Sequence, residues 1–160
     1  MLKMKSTSIL LGVGVIVTRN DHIALGHRRF PQPCWSLPGG KIERLEAIEA
    51  CACRELYEET GLRGDDKTDI LSVANVRIPN LHTITFGVKF TECSGELTLR
   101  EPDKFSTWEW FPLSRLPDDL FLPTRIVLDC FLNKPISYSS PSTLCRFSEV
   151  NFSRTAGGTF

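Results

Sequence analysis

Hydrophobic and polar residues alternate in several short stretches of the chain. The clearest is residues 82–90, where His82, Ile84, Phe86, Val88 and Phe90 alternate with Thr83, Thr85, Gly87 and Lys89. A period of two predicts a β-strand. Residues 8–17 and 22–28 read as two more strands around the turn signal Arg19-Asn20-Asp21. Residues 68–78 and 106–112 are also predicted strands, and ELTL at 96–99 is predicted to continue the sheet after a turn from Cys93 to Gly95. Residues 29–40 hold Pro31, Pro33, Pro38, Gly39 and Gly40 and read mostly as loop. Residues 46–60 follow the helical period instead and stop at Gly61, a C-cap residue. A second helix is predicted over 122–133, with Pro123 at an early helical position. Strands of mixed order with one helix between them and another at the end predict an α+β or α/β sandwich, with α+β the expected class. From Pro135 onward large apolar residues become scarce. The expected division is therefore a domain over 7–134 and a loosely ordered tail over 135–160.

A chain of 160 residues suits one domain. Lysine plus arginine equals aspartate plus glutamate at 19 each. That balance gives no electrostatic reason to expect a nucleic acid polymer or an acidic membrane surface as partner. A small anionic ligand needs only a local patch. The cysteines at positions 34, 51, 53, 93, 130 and 145 contain no C-x-x-C pair, so free thiols in a reducing compartment are expected. Lys3 and Lys5 precede an apolar run, but no small-x-small cleavage site follows, and strand-turn-strand accounts for the segment better than export does. No run reaches the roughly 18–20 apolar residues of a membrane span. The expected location is the cytoplasm.

The candidate chemistry lies in GGKIERLEAIEACACRELYEETGL, residues 39–62. At about 100° per residue, Glu55, Glu58 and Glu59 share an arc of about 100° on the predicted helix. Most of the remaining circumference is apolar or small: Ala47, Ile48, Ala50, Cys51, Ala52, Cys53, Leu56 and Tyr57. Such a helix is packed on most sides, with its charged stripe facing a gap. The stripe could be a solvated edge, helped by Arg54 and Lys41. Alternatively, it could be a site for a hard cation such as Mg²⁺ or Mn²⁺, which takes oxygen ligands and would relieve the repulsion. Gly39-Gly40 favours the second reading, because glycine lets the backbone approach an ion or a phosphate closely.

The spacing from Gly40 through Glu46, Arg54-Glu55-Leu56 and Glu58-Glu59 to Gly61-Leu62 resembles the Nudix box, G-x5-E-x7-R-E-U-x-E-E-x-G-U, at every defined position. Leu45, at an undefined position, stands where relatives often have glycine. LGHRR, CWSLPGG and WEWFPLSRLP also resemble the strands flanking that box, and the likeness covers about 8–134. The resemblance implies a Nudix-type α/β/α sandwich with a mixed sheet and Mg²⁺-dependent hydrolysis of nucleoside diphosphate derivatives. It implies that Glu55, Glu58 and Glu59 hold metal, with the Gly40 carbonyl as a further ligand. Glu55 would also help deprotonate the attacking water, Arg54 would orient the glutamates, and Glu46 would brace the loop-helix junction. Glu101, in EPDK, would be a late acidic residue near the metals and substrate.

Arg28 and Arg29 read either as exposed strand-end charges or as a clamp on a polyphosphate, and Lys41 is a similar candidate. Trp35, Trp108 and Trp110 read as packing residues, and His22, His27 and His82 have no relay spacing. Within the family, the likeness is to MutT-like enzymes that cleave nucleoside triphosphates to a monophosphate and pyrophosphate. Hydrolysis of ADP-ribose or another nucleoside diphosphate derivative is the alternative. A non-catalytic nucleotide sensor is the alternative of another class. The expected partner is a nucleotide, and a homodimer is left open.

Overall fold

The computed structural model describes residues 8–79, 81–134 and the backbone of 142–146. The elements are β1 (Leu10–Ile16), β2 (Thr18–Arg19), β3 (His22–Arg28), β4 (Cys34–Ser36), α1 (Ile48–Thr60), β5 (Arg63–Gly64), β6 (Thr68–Ile78), β7 (Leu81–Phe90), β8 (Cys93–Ser94), β9 (Phe105–Pro112), α2 (Leu122–Phe131) and β10 (Ser142–Arg146). One sheet has the order β1-β7-β6-β10, and it is mixed: β1 lies parallel to β7, while β6 runs antiparallel to β7 and to β10. The second sheet joins β2, β3 and β4, with β9 on the other edge of β3, all antiparallel. β5 and β8 form a short separate pair. The fold is α+β, a sheet sandwiched between helices.

The strand period divides the core in two. Val13, Val15 and Val17 join Cys51, Ala52 and Leu56 of α1 in one cluster. Ile16, Ala74 and Val76 join Ile126, Val127 and Leu128 of α2 in the other. Successive side chains of a strand point to opposite faces, so the two helices cover opposite sides. Both faces of β7 are therefore covered. Val88 and Phe90 are buried in the α1 cluster, with Phe86 packed against it. Thr83 and Thr85, the polar half of the alternation, are buried too, at 8% exposure each.

Three details differ from the sequence-based expectation. The first two predicted strands do not form one long hairpin. The chain leaves β1 for the other sheet at Val17, and only β2 pairs with β3 across Asn20 and Asp21, which both adopt positive φ. ELTL is not a strand. Its backbone serves the end of α1: Thr98 N–H donates to Thr60 O at 2.9 Å, and Arg100 N–H donates to Glu59 O at 3.3 Å. Carbonyls at a helix C-terminus lack intrahelical partners, and this segment supplies them. Finally, β10 falls in the stretch expected to be a loose tail, where it pairs with β6 from Ser142↔Val76 to Arg146↔Ser72. The rest of 135–160 lies outside the described residues.

α1 ends as expected, with Gly61 at φ 76° and its N–H donating to Tyr57 O. Trp35 packs edge-on against His27 and Phe111. Trp108 is buried against Phe105. Cys34, Cys51, Cys53, Cys93 and Cys130 are free thiols, and the Cys145 side chain lies outside the described residues. Among the described residues no helix is long and apolar enough to cross a membrane.

Candidate active site

The site forms where the glycine pair is laid between β1 and α1. Val13 N–H donates to Gly40 O at 2.9 Å, Val15 N–H to Pro38 O at 2.8 Å, and Ile42 N–H to Leu11 O at 3.0 Å. From the other side, Gly39 N–H donates to Glu59 Oε2 at 2.9 Å. Neither glycine leaves room for a side chain. A Cβ on Gly39 would sit 2.0 Å from Val13 O, and one on Gly40 would sit 2.3 Å from Glu55 Oε1. This tight fit brings the turn against the carboxylate stripe of α1.

At the near end of that stripe, Arg54 is a hub. Its Nε and Nη2 donate to the two oxygens of Glu46 at 2.7 and 2.9 Å. Its Nη1 donates to Glu55 Oε1 at 2.8 Å and Glu58 Oε2 at 3.3 Å, and Nη2 also reaches Lys41 O at 3.1 Å. Glu46 accepts Glu43 N–H as well, at 2.9 Å. It therefore braces the loop through Arg54 and Glu43 and does not cap the helix, whose N-cap Ala47 offers no side-chain bond. Arg54, with the Glu43 N–H, holds the Glu46 carboxyl down at about 2.

The far end is different. Glu59 is 2% exposed. Burial pushes its carboxyl up to about 8; the Gly39 N–H and Lys104 oppose the rise, and the neighbouring Glu55 and Glu101 add to it. Glu55 is buried as well and is raised chiefly by that burial, against the pull of Arg54. Glu101 Oε2 is buried with no hydrogen-bond partner. Among the described residues no three acidic, imidazole or thiol side chains converge into a ready-made cation cage. The chemistry of the donors still fits a hard cation. They are all oxygens, and the neighbouring carboxyls Glu55 and Glu101, the latter with a buried oxygen lacking a partner, oppose the charge of Glu59. The Gly40 carbonyl accepts one N–H and keeps a second lone pair.

These groups open onto a cavity of about 920 Å³. Gly39, Gly40, Lys41, Arg54, Glu55, Glu58, Glu59, Asp103 and Lys104 line its polar part. Leu81, Thr83, Thr85, Phe121, Pro123 and Val127 line the rest, with Ser36 and Thr124. Thr83 and Thr85 hydroxyls lie 3.3 Å apart, and Ser36 Oγ is buried without a partner. Arg28 also lines the cavity, with its guanidinium 4.6 Å over the Phe121 ring and its Nε donating to Phe30 O at 3.4 Å. The structure thus gathers Arg28, Gly40, Lys41, Arg54, Glu55, Glu58 and Glu59. Glu46 and Glu101 stand behind that lining and act on it through Arg54 and Glu59.

Arg29 stands apart from Arg28. It does not line the cavity; its Nε donates to Pro102 O at 2.8 Å and Phe105 O at 3.2 Å. The two arginines are adjacent at the end of β3, where successive side chains of an extended chain point to opposite sides. Sequence reasoning missed Lys104, Ser36 and the threonines of β7. The only available signals were a lysine within EPDK and the hydroxyl half of an alternating strand.

The model of the NUDIX domain matches residues 9–129. A crystal structure of a MutT NUDIX hydrolase from Burkholderia pseudomallei superposes with a TM-score of 0.71 at 34% identity, covering 76% of this chain and 97% of that one. The chain is 32% identical over 119 residues to an ADP-ribose pyrophosphatase of Methanocaldococcus jannaschii, which is 72% of this chain and 69% of that protein. It is 31% identical over 104 residues to the NAD-capped RNA hydrolase NudC of Pseudomonas aeruginosa. That match covers 64% of this chain and 36% of the relative, so the chain spans about a third of the length of the curated relatives it first matches. The chain belongs to the Nudix family.

Proposed function

We propose that this Nudix chain is a pyrophosphohydrolase that uses Mg²⁺, with Mn²⁺ able to substitute, to cleave nucleoside triphosphates to a nucleoside monophosphate and pyrophosphate. The observation that carries the reading is the pairing of two environments in one cavity. A crowded, buried carboxylate group around Glu59 and an apolar wall with hydroxyls line the same cavity. The first suits a cation and phosphates, the second a nucleobase.

Glu55, Glu58 and Glu59 would hold the cation, with the Gly40 carbonyl as a further ligand. When bound, the cation neutralises phosphate charge and acidifies a water. Glu55 accepts the proton of the attacking water. The water oxygen adds to an internal phosphorus, the anhydride P–O bond breaks, and pyrophosphate leaves with the bonding electrons. Arg54 keeps Glu55 and Glu58 oriented, and Glu46 keeps Arg54 in place. Arg28 and Lys41 take distal phosphate oxygens. We assign this unit to residues 7–134.

Hydrolysis of ADP-ribose is the second reading, favoured by the likeness to the Methanocaldococcus jannaschii pyrophosphatase. Ion-exchange analysis of products from a nucleotide panel with Mg²⁺ tests both. Monophosphate plus pyrophosphate from a triphosphate supports the first reading. Orthophosphate plus a diphosphate refutes internal cleavage, and much faster turnover of ADP-ribose replaces the first reading with the second.

A further inference from the structure

We propose that Lys104, which lies outside the signature, is a phosphate-contact residue of this site, held by Glu101 and positioned through Arg29. The inference rests on the nucleotide reading above. The positive charges lining the cavity are Arg28, Lys41, Arg54 and Lys104. A polyphosphate brings several negative charges to a cavity that Glu55, Glu58, Glu59 and Asp103 already line. Arg54 has no capacity to spare, since its donors go to Glu46, Glu55, Glu58 and Lys41 O. Arg28 is partly engaged with Phe121 and Phe30 O.

Lys104 is different. Its Nζ lies 2.9 Å from Glu101 Oε1, its one ion-pair partner among the described residues. An ammonium has three donors, so two remain. It lines the same cavity as Glu55 and Glu59.

The ammonium is well placed because its backbone is fixed. Lys104 N–H and Phe105 N–H both donate to Glu101 O at 3.0 Å, closing the turn. Arg29 N–H donates to Lys104 O at 2.9 Å, and the Arg29 side chain grips Pro102 O and Phe105 O. An exposed ion pair three residues apart is ordinarily a surface ornament worth little. This one differs on three counts: its lysine lines the cavity, its turn is anchored by an arginine, and its glutamate keeps the other oxygen buried. Lys104 Nζ therefore bridges Glu101 Oε1 and a phosphate oxygen, and Glu101 acts as a positioning residue.

The test is calorimetric binding of α,β-methylene-dATP, which cannot be cleaved at the internal bond, to the full chain with Mg²⁺. Adenosine is measured beside it. Lys104→Met should weaken the analogue by roughly 10-fold or more and leave adenosine unchanged, because the lost bond is charge-assisted. Lys104→Arg should restore most of the affinity. Arg29→Gln should weaken the analogue without changing adenosine, and in steady-state assays all three effects should appear mainly in KM. Equal analogue affinity in wild type and Lys104→Met overturns the proposal while leaving the nucleotide reading intact. Equal losses for analogue and adenosine overturn it too, since they mark a structural role. A wild-type chain that binds neither compound overturns the nucleotide reading and this inference with it.

Discussion

Glu46 and Glu59 stand at the two ends of one charged helix region, and their environments are opposite. Glu46 is matched by a guanidinium through two bonds and holds its charge down to about pH 2. Glu59 is buried beside two other carboxyls, receives one backbone N–H, and is pushed up to about 8. The same side chain is a finished brace at one end and an unfinished charge cluster at the other. A structure that leaves carboxylates crowded is a structure waiting for positive charge. The brace makes that possible, because Arg54 holds Glu55 and Glu58 at the cluster's edge without neutralising Glu59.

The sharpest way to break this comparison is to remove charge at the crowded end. Glu59→Gln should lower kcat by on the order of 10²–10⁴, because it removes charge where the transition state needs it. The same change should raise the melting temperature in EDTA above neutral pH. Activity near wild type would refute the assignment of Glu59.

Removing the brace should act the other way. Arg54→Met leaves Glu46, Glu55 and Glu58 without their shared partner, and should destabilise the fold by about 2–4 kcal/mol. Denaturant unfolding measures it, and an unchanged midpoint would show that the hub contributes nothing.

pH separates the two ends without mutation. Glu59 has a folded-state value of about 8, above the ordinary 4.5, so the unfolded chain releases this proton first. Its contribution is complete below about 4.5 and is lost as pH rises toward about 8, by up to about 1.4 kcal/mol per pH unit in EDTA. Glu46 works in the other window: its contribution is complete above about 4.5 and is lost as pH falls toward about 2. Melting curves across pH, with Glu59→Gln as control, should show the upper slope flattened in the variant. Wild-type stability that rises from pH 5 to 8 would contradict the burial argument.

The smallest effect concerns the loop before the helix. Leu45 is 96% exposed and adopts φ 65°. That conformation is costly for a branched side chain, and no packing offsets it here. Leu45→Gly should stabilise the fold by about 0.5–1 kcal/mol, the relief of strain exceeding the added freedom of the unfolded chain. A loss of stability would show that the leucine makes a contact in solution.

Much of the site was legible in the sequence because it depends on local spacing. Glu55, Glu58 and Glu59 share a helix face by period alone, and Gly39-Gly40 announces a close backbone approach. Leu45 was legible in another sense: a leucine where relatives often carry glycine adopts a glycine-like φ. What could not be read depends on contacts between distant segments. The pattern of β7 tells which residues share a face, but not that the threonine face lines a cavity, because both faces of the sheet are covered. ELTL reads as strand because its alternation is real, yet the Thr98 amide is taken by the Thr60 carbonyl at the end of α1. Arg28 and Arg29 are adjacent and chemically identical, yet Arg28 lines the cavity while Arg29 bonds the carbonyls of Pro102 and Phe105.

The central claim is that the crowded carboxylates around Glu59 are a cation site. Proton release on Mn²⁺ binding tests it most directly, because a carboxyl held protonated near neutrality must lose its proton to become a ligand. Calorimetric titrations at pH 7, in two buffers of different ionisation enthalpy, count those protons. The account predicts that Mn²⁺ binds with release of nearly one proton per ion, that the release fades toward pH 9, and that Glu59→Gln abolishes it. Mn²⁺ binding with no proton release at pH 7, or no binding at all, would contradict the account.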